Sequence, residues 1–171
     1  RSVTTFGSNV FGNYSSLTVY VFADSAALDY CVSKGIPYKI VKEPAISSVS
    51  ATQALTASGQ VQATFKVKTS TATTLLKLCS ESGSVVQTFT SSNASFSDSG
   101  ELRTWTLSHV FANDGARILY FIGSGNGAET APYSYTVNLY GAQVKYAAFS
   151  PATVRRGATA YATVNTSYGA R

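Results

Sequence analysis

Few residues of this chain have the types and spacing that catalysis requires. His109 is the only histidine, and no Gly-x-Ser-x-Gly motif accompanies it, so the sequence carries no signature of a Ser/His/Asp triad. Asp98 and Asp114 each stand in a glycine-containing turn, where aspartate commonly hydrogen-bonds the backbone, which argues against an acid/base pair of carboxylates. Residues 123–127 (GSGNG) precede a predicted strand, whereas a phosphate-binding loop opens a helix. The sequence therefore predicts no catalytic residues and places His109 at the end of a strand.

Metal and nucleic-acid sites are not indicated either. Cys31 and Cys79 belong to no Cys/His cluster with ligand spacing, so no metal or other cofactor is expected. Because they fall in segments that belong to different predicted domains, two buried free thiols are a better expectation than a disulfide. The net charge of +5 comes from thinly spread Lys and Arg, with Arg155-Arg156 as the only basic doublet. A nucleic-acid partner is not expected, because its interface would need a basic stripe interleaved with aromatic residues.

The composition favours strands and gives no sign of a membrane span. Only 12% of the 171 residues are charged, while Ser, Thr, Ala, Val and Tyr dominate, which is typical of half-buried strands. The apolar stretches are far shorter than the roughly 18 to 20 residues of a membrane helix, and no signal peptide is visible. Since the chain starts at Arg1 without Met, it is expected to be a piece of a longer protein, with any targeting segment outside it. The three Asn-x-Ser/Thr triplets are expected by chance in a chain so rich in Ser and Thr; they start at Asn13, Asn93 and Asn165.

The first 43 residues differ in texture from the rest and contain the one convincing helix. Asp24-Ser25 offers an N-cap, and Leu28, Cys31 and Val32 recur at helical spacing. Gly35 stands where a left-handed C-terminal cap is expected. Residues 17–22 before the helix and 36–41 after it are predicted strands. This strand-helix-strand unit is too small to bury its own apolar face and needs neighbours.

Residues 10–19 (VFGNYSSLTV) resemble the repeat of BspA-type leucine-rich repeat proteins, in which Ala-Phe, a short turn, Ser-Leu-Thr and a β-branched strand recur. Residues 24–28 (DSAAL) and 34–41 (KGIPYKIV) are similar to the C-terminal cap of that family, with its short helix, Gly-Ile-Pro-Tyr/Phe and closing strand. Tyr14 stands where Cys or Asn is common in the family, and Val21-Phe22 replaces a frequent Gly-aromatic pair. The resemblance implies that residues 1–43 cap a leucine-rich solenoid preceding Arg1 in a bacterial surface protein.

Beyond a predicted linker at 42–45, residues 44–142 predict an immunoglobulin-like β-sandwich. In residues 61–68 (VQATFKVK) odd positions are apolar and even positions are polar, so one face is buried and one is wet. Turn residues such as Asn113-Asp-Gly115 separate such runs. Seven short strands in about a hundred residues are typical of the fold; they are predicted at 46–51, 61–68, 74–79, 85–90, 103–108, 117–122 and 133–140.

Trp105 is predicted to plug the core between the sheets, with Phe65, Leu107 and Tyr135 nearby, rather than to stack on a sugar. The antibody-type cysteine pair is missing, so apolar packing must hold the sheets together. The segments around Arg-Thr-Trp-Thr and Gly-Ala-Arg-Ile-Leu-Tyr-Phe resemble strands of the bacterial Ig-like modules that follow leucine-rich repeats.

Residues 143–171 are predicted to open a second, truncated Ig-like copy. Residues 59–70 reappear loosely as residues 157–167, at a spacing of about one sandwich domain. Residues 147–151 are the predicted first strand of this copy, and residues 155–157 its first turn. Two orphan strands cannot form a sandwich, so they are expected to pack on the first sandwich or on a second chain by strand addition.

The predicted function is that of a non-catalytic module of a bacterial cell-surface or secreted protein, acting in display, adhesion or protein–protein binding and as a spacer. Its expected partner is a protein or glycan at the cell surface, and no binding residue is assigned. The alternative is an accessory domain of a secreted enzyme that contacts carbohydrate through Tyr133, Tyr140 or Tyr168. Those tyrosines alternate with polar residues, which favours strand packing over a sugar platform.

Overall fold

The computed structural model describes residues 4–8, 10–12, 16–141, 143–150, 156–159 and 161–167. In the described structure, strands account for 55% of the residues and helix for 6%, so the predicted mainly β class is confirmed. Among the described residues, no helix is long and apolar enough to cross a membrane.

The N-terminal unit is a parallel strand-helix-strand arrangement. Strand β1 (Val19–Phe22) and strand β2 (Tyr38–Val41) pair in parallel, and helix α1 (Ala26–Lys34) connects them. Ser25 caps the helix by accepting a hydrogen bond from the backbone N–H of Leu28 at 3.2 Å, and Gly35 ends it in the left-handed region at φ 62°. Both predicted caps are therefore confirmed.

The buried side of this unit is narrow. Cys31 of α1 and Val21 of β1 are buried, and Tyr30 stacks on Phe6 with 4.9 Å between ring centroids. Val32, predicted to lie on the apolar face, is 60% exposed. A two-stranded sheet covers only a narrow strip of the helix surface. Cys31 lies in that strip, and the neighbouring Val32 lies outside it and stays exposed to solvent.

The sandwich comes after a connection at residues 42–45 and consists of a four-stranded and a five-stranded antiparallel sheet. The first sheet has the order β3-β4-β8-β7, and the second has the order β6-β5-β9-β11, with the short strand β10 continuing the β11 edge. This strand order is that of an immunoglobulin-type sandwich with one additional edge strand in the second sheet. The strands are β3 (Ile46–Leu55), β4 (Val61–Ser70), β5 (Leu75–Cys79), β6 (Val85–Phe89), β7 (Ser95–Ser99), β8 (Leu102–Phe111), β9 (Gly115–Gly125), β10 (Ala128–Glu129) and β11 (Tyr133–Leu139).

Alternating apolar residues of both sheets build one core. Phe65 of β4 meets Phe121 of β9 edge to face at 5.3 Å, and Tyr135 of β11 lies 6.3 Å from Phe65. Trp105 of β8 is completely buried, and its indole Nε1–H donates to Oγ1 of Thr69 at 3.2 Å. The prediction that Trp105 belongs to the core is confirmed, and the buried hydrogen bond satisfies its one polar atom.

Both cysteines are free and buried, as predicted, and burial raises the pKa of the Cys79 thiol. Cys31 lies on the buried side of α1 in the N-terminal unit, and Cys79 is the last residue of β5 in the sandwich. The two thiols therefore behave as small apolar side chains.

The C-terminal strands β12 (Gln143–Ser150) and β13 (Tyr161–Ser167) pair antiparallel with each other. Among the described strands, neither joins a sheet of the sandwich. Tyr161 is 72% exposed and Val164 is 51% exposed. Of the two expected arrangements, packing on the first sandwich does not occur through strand pairing, and addition to a second chain stays a prediction.

Candidate functional site

One end of the sandwich has an opening where both sheets lose a neighbouring strand. Residues 115–119 of β9 pair with β11 on one side, but on the other side β5 stops opposite Tyr120. In the first sheet, residues 107–111 of β8 pair with β4 on one side, while β7 stops opposite Thr106. The result is a cleft of about 690 Å³, a size typical of ligand sites. We call this cleft the notch; its walls include Glu81, Val86, His109, Phe111, Asp114 and Arg117.

Polar side chains stand at inward positions around the notch. In β8 the inward side chains run Trp105, Leu107, His109 and Phe111, and in β9 the positions in line with the buried Leu119 include Arg117. An inward position in a sandwich normally holds an apolar residue. His109 and Arg117 therefore break the apolar pattern on facing sheets at the same end of the core, which marks this end as a candidate site.

His109 connects the two sheets. Its Nδ1–H donates to Oε1 of Gln87 in β6 at 2.7 Å, and its ring contacts Phe111 edge to face with 4.7 Å between centroids. Burial lowers the pKa of His109 below its ordinary value, so the imidazole is neutral at pH 7. His109 lies near the end of β8, so the predicted strand-end position is confirmed; its place in a cleft was not predicted.

Arg117 is the residue that sequence reasoning missed. Its guanidinium carbon lies 5.5 Å from the centroid of the Phe111 ring, and its Nη2 donates to the carbonyl oxygen of Asn113 at 3.0 Å. Its Nε is buried and has no hydrogen-bond partner in the described part of the chain. An unpaired buried donor on a cation is costly, so the guanidinium has unused capacity for an acceptor oxygen.

The notch does not assemble a catalytic triad. The hydrogen bond of His109 goes to an amide, and within the described residues no hydroxyl or carboxylate bonds its ring. Ser80 and Ser82 also line the notch, and their hydroxyls are hydrogen-bonded to each other at 2.9 Å inside the β5–β6 turn. Glu81 and Asp114 are exposed residues of the wall that form no ion pair in the described part of the chain. The arrangement supplies donors, an aromatic face and charge, which suits binding.

Asp98 has a structural partner. It lies at the end of β7, inside a strand and not in the predicted turn, opposite Arg103 of β8. Arg103 donates from Nε and Nη2 to the two carboxylate oxygens at 2.7 and 2.8 Å, which lowers the pKa of Asp98. Its guanidinium also lies 4.0 Å over the ring of Phe96. Asp98 therefore lies in β7 and Asp114 in the connection before β9, and the structure does not bring them together.

The glycine-rich segment forms the end of β9 and the turn to β10, as its position before a strand predicted. Asn126 and Gly127 both have positive φ, 51° and 81°, which closes this tight turn. Gly125 passes so close to the β4–β5 connection that a Cβ there would overlap the carbonyl oxygen of Ala72. Glycine is thus required for strand packing at this position.

The predicted tyrosines do not form one platform in the described structure. Tyr133 and Tyr135 pack partly against the core, and Tyr140 is 49% exposed at the end of β11. Tyr168 lies outside the described residues, as do Asn13, Arg155 and Pro151. Asn93 is engaged locally, since its side chain bonds the backbone of Thr90 and Thr88.

No group of three or more His, Cys, Asp or Glu side chains among the described residues could hold a metal ion. Compared with family models, curated proteins and solved structures, the chain matches none of them.

Proposed function

We propose that this chain is a non-catalytic module of a bacterial cell-surface or secreted protein, in which the sandwich acts as a spacer between a binding element at its N-terminal end and a further Ig-like domain at its C-terminal end. The observation that supports this proposal best is that the chain enters and leaves the sandwich at opposite ends. Ile46 starts β3 opposite Thr69, whereas Tyr140, just after β11, donates its backbone N–H to Oε1 of Gln53 near the far end of β3. The entry and exit points are about 24 Å apart along β3, seven residues at the usual rise of about 3.4 Å per residue.

The N-terminal unit supports a role as the end of a repeat array. Its two-stranded parallel sheet is too small to stand as a core, and several apolar side chains of that sheet are exposed: Tyr20 at 66%, Ile40 at 57% and Tyr38 at 41%. In repeat proteins such surfaces are covered by the neighbouring repeat. Residues 1–43 as the cap of a BspA-type leucine-rich solenoid would meet this requirement.

The C-terminal ribbon supports a second Ig-like copy at residues 143–171, after a sandwich domain at 44–142. Strands β12 and β13 pair antiparallel, as β3 and β4 do at the start of the sandwich. The connection between each pair contains a glycine with positive φ, Gly157 at 86° and Gly59 at 81°. In the sandwich, β8 covers the other edge of β4; the corresponding edge of β13 would be covered by later strands or by a strand of another chain.

The state of the reactive groups supports a non-catalytic role. The two thiols are buried, His109 is hydrogen-bonded to Gln87, and Glu129 is paired with Lys77 at 2.6 Å. A substrate screen for hydrolase and transferase activity tests this point. Turnover by the purified chain that disappears in His109→Ala would contradict the proposal.

Small-angle X-ray scattering tests the spacer role. A compact 171-residue protein would have a radius of gyration of about 16 Å, and an end-to-end arrangement should give a clearly larger value. Antibodies against the sandwich should also label intact cells that make the parent protein. A radius near the compact value, or labelling only after permeabilisation, would contradict the proposed role.

A further inference from the structure

We infer that the notch is a docking site for an extended peptide segment of another protein, which adds as a strand to the open edge of β9 and pairs a carboxylate side chain with Arg117. This inference goes beyond the spacer role and does not depend on it, because it rests on the geometry of one end of the sandwich.

The first observation is the open edge itself. Residues 115–119 of β9 have a strand on one side only, so their remaining backbone N–H and C=O groups face the notch instead of β5. Proteins usually block such edges with lysine, proline or a bulge. This segment reads Gly-Ala-Arg-Ile-Leu, and its one charged side chain stands at an inward position. A row of free peptide groups selects an extended polypeptide, because only a strand presents complementary groups at the same spacing.

The second observation is the charge at the inward position. Arg117 forms one hydrogen bond, to the carbonyl oxygen of Asn113, and keeps a buried Nε without a partner in the described part of the chain. A residue directly opposite Arg117 on an added strand would have its Cβ about 5 Å away on the same face. Glutamate or aspartate at that position would place carboxylate oxygens within reach of the guanidinium, whose stacking on Phe111 limits its movement.

The remaining walls define the neighbouring positions of the peptide. Phe111 lines the same cleft from an inward position, so an apolar side chain next to the acidic residue on the inward face would be covered. Glu81 and Asp114 lie at the exposed rim and disfavour a free anion. Binding therefore requires the backbone pairing as well as the carboxylate, which distinguishes a strand from a small acid.

Peptide libraries provide the test. One library of short capped peptides carries glutamate at the centre and Val, Ile, Thr, Tyr or Ser elsewhere, and the matched library carries glutamine at the centre. Binding is followed by amide cross-peaks of the ¹⁵N-labelled chain and by their hydrogen exchange. Peptides of the glutamate library should shift the cross-peaks of residues 115–119 and protect their amides from exchange. They should bind with roughly tenfold higher affinity than peptides of the glutamine library. N-methylation of alternate peptide groups in the best binder should abolish binding.

Variants separate the carboxylate pairing from general charge. Arg117→Gln should remove the preference for glutamate, and Arg117→Lys should reduce it, because lysine keeps the charge but lacks the planar guanidinium. Lys66→Gln is the matched control, since it removes a positive charge from an exposed position of β4 away from the notch. Glu81→Gln and Asp114→Asn should strengthen binding. Thermal unfolding of each variant shows whether the fold is retained.

Several outcomes would overturn the inference. These are no binding by either library, equal binding of the glutamate and glutamine libraries, or an unchanged preference in folded Arg117→Gln. Protection of β6 or β13 in place of residues 115–119 would place the docking edge elsewhere. Concentration-dependent self-association that protects residues 115–119 without peptide would assign the edge to a second copy of the chain.

Discussion

At the scale of single residues, the contact between His109 and Gln87 is the polar bridge between the two sheets at the notch. Both side chains point inward, and Nδ1 of His109 lies 2.7 Å from Oε1 of Gln87. Because the neighbourhood is partly desolvated, the folded chain favours the neutral imidazole, and the pKa of His109 is lowered. The unfolded chain has no such preference and takes up a proton near the ordinary pKa of about 6.5.

This difference predicts a pH dependence of stability. Above pH 6.5 the imidazole is neutral in both states, and the stabilising contribution is fully present. As the pH falls from 6.5 through the lowered pKa of the folded state, the unfolded state binds a proton first, so the free energy of unfolding should fall. Urea unfolding between pH 7.5 and pH 5, followed by Trp105 fluorescence, should show this loss in the natural chain.

His109→Gln is the matched control, because it keeps a hydrogen-bonding side chain but cannot titrate. The three carboxylates whose pKa values are lowered, those of Asp98, Glu101 and Glu129, are exposed and titrate below this pH range. The difference in stability between the natural chain and His109→Gln should therefore shrink as the pH falls. Parallel pH profiles of the two proteins would refute the role assigned to His109.

At the scale of secondary-structure elements, alternation of apolar residues predicted most of the sandwich. Each of the seven predicted strands corresponds to a strand of the structure, although β3, β8 and β9 extend several residues further. Strand β7 was missed because every residue of Ser95–Ser99 is exposed. Its sequence therefore lacks the alternation of apolar and polar residues that marks a half-buried strand. It forms because its backbone pairs with residues 102–106 of β8 at the edge of the sheet.

The candidate site could be predicted only in part. His109 and Arg117 are visible in the sequence as polar residues in line with apolar ones, two positions after Leu107 and two before Leu119. Their meeting depends on which strands face each other and on where β5 and β7 end. Those end points follow from tertiary packing, which local patterns do not contain.

The turn between β9 and β10 gives a prediction at this scale. Gly125 is buried, and a Cβ there would overlap the carbonyl oxygen of Ala72 in the β4–β5 connection. Because the atoms that an added Cβ would meet belong to the backbone of residues 72 and 73, they cannot move aside as the end of a flexible side chain could. Gly125→Ala should therefore lower the free energy of unfolding by about 3 kcal/mol or more, the upper end of the range for overpacking.

Chemical denaturation followed by Trp105 fluorescence measures this effect. Gly7→Ala serves as the control, since the nearest atom to an added Cβ there is Cγ2 of Val10 at 3.7 Å, an ordinary contact. If Gly125→Ala were as stable as Gly7→Ala, the backbone of Gly125 could not lie as close to the carbonyl oxygen of Ala72 as described.

At the scale of the whole molecule, the connection at residues 42–45 is bonded to the sandwich at several points. The side-chain amide of Asn126 donates to the backbone carbonyl oxygen of Lys42 at 2.9 Å. The hydroxyl of Ser70 donates to the backbone carbonyl oxygen of Glu43 at 3.0 Å. The backbone N–H of Ala45 donates to the Ser70 hydroxyl at 3.1 Å. Lys42 and Glu101 form an additional ion pair, which contributes little because both groups are exposed. Side chains from the end of β4 and from the β9–β10 turn thus hold the segment that carries the N-terminal unit.

These bonds predict that the N-terminal unit tumbles together with the sandwich. The double variant Ser70→Ala and Asn126→Gly removes both side-chain contacts, and glycine accepts the positive φ of position 126 without strain. In ¹⁵N relaxation measurements, the amides of α1 and those of β8 should report the same correlation time in the natural chain, and a shorter time for α1 in the double variant. Ser97→Ala with Asn138→Ala is the matched control, because both residues are exposed and neither side chain forms a hydrogen bond in the described structure. A spacer can set the orientation of a binding element only through a stiff connection. Equal correlation times of α1 and β8 in the double variant would mean that the contacts at Ser70 and Asn126 do not provide that stiffness.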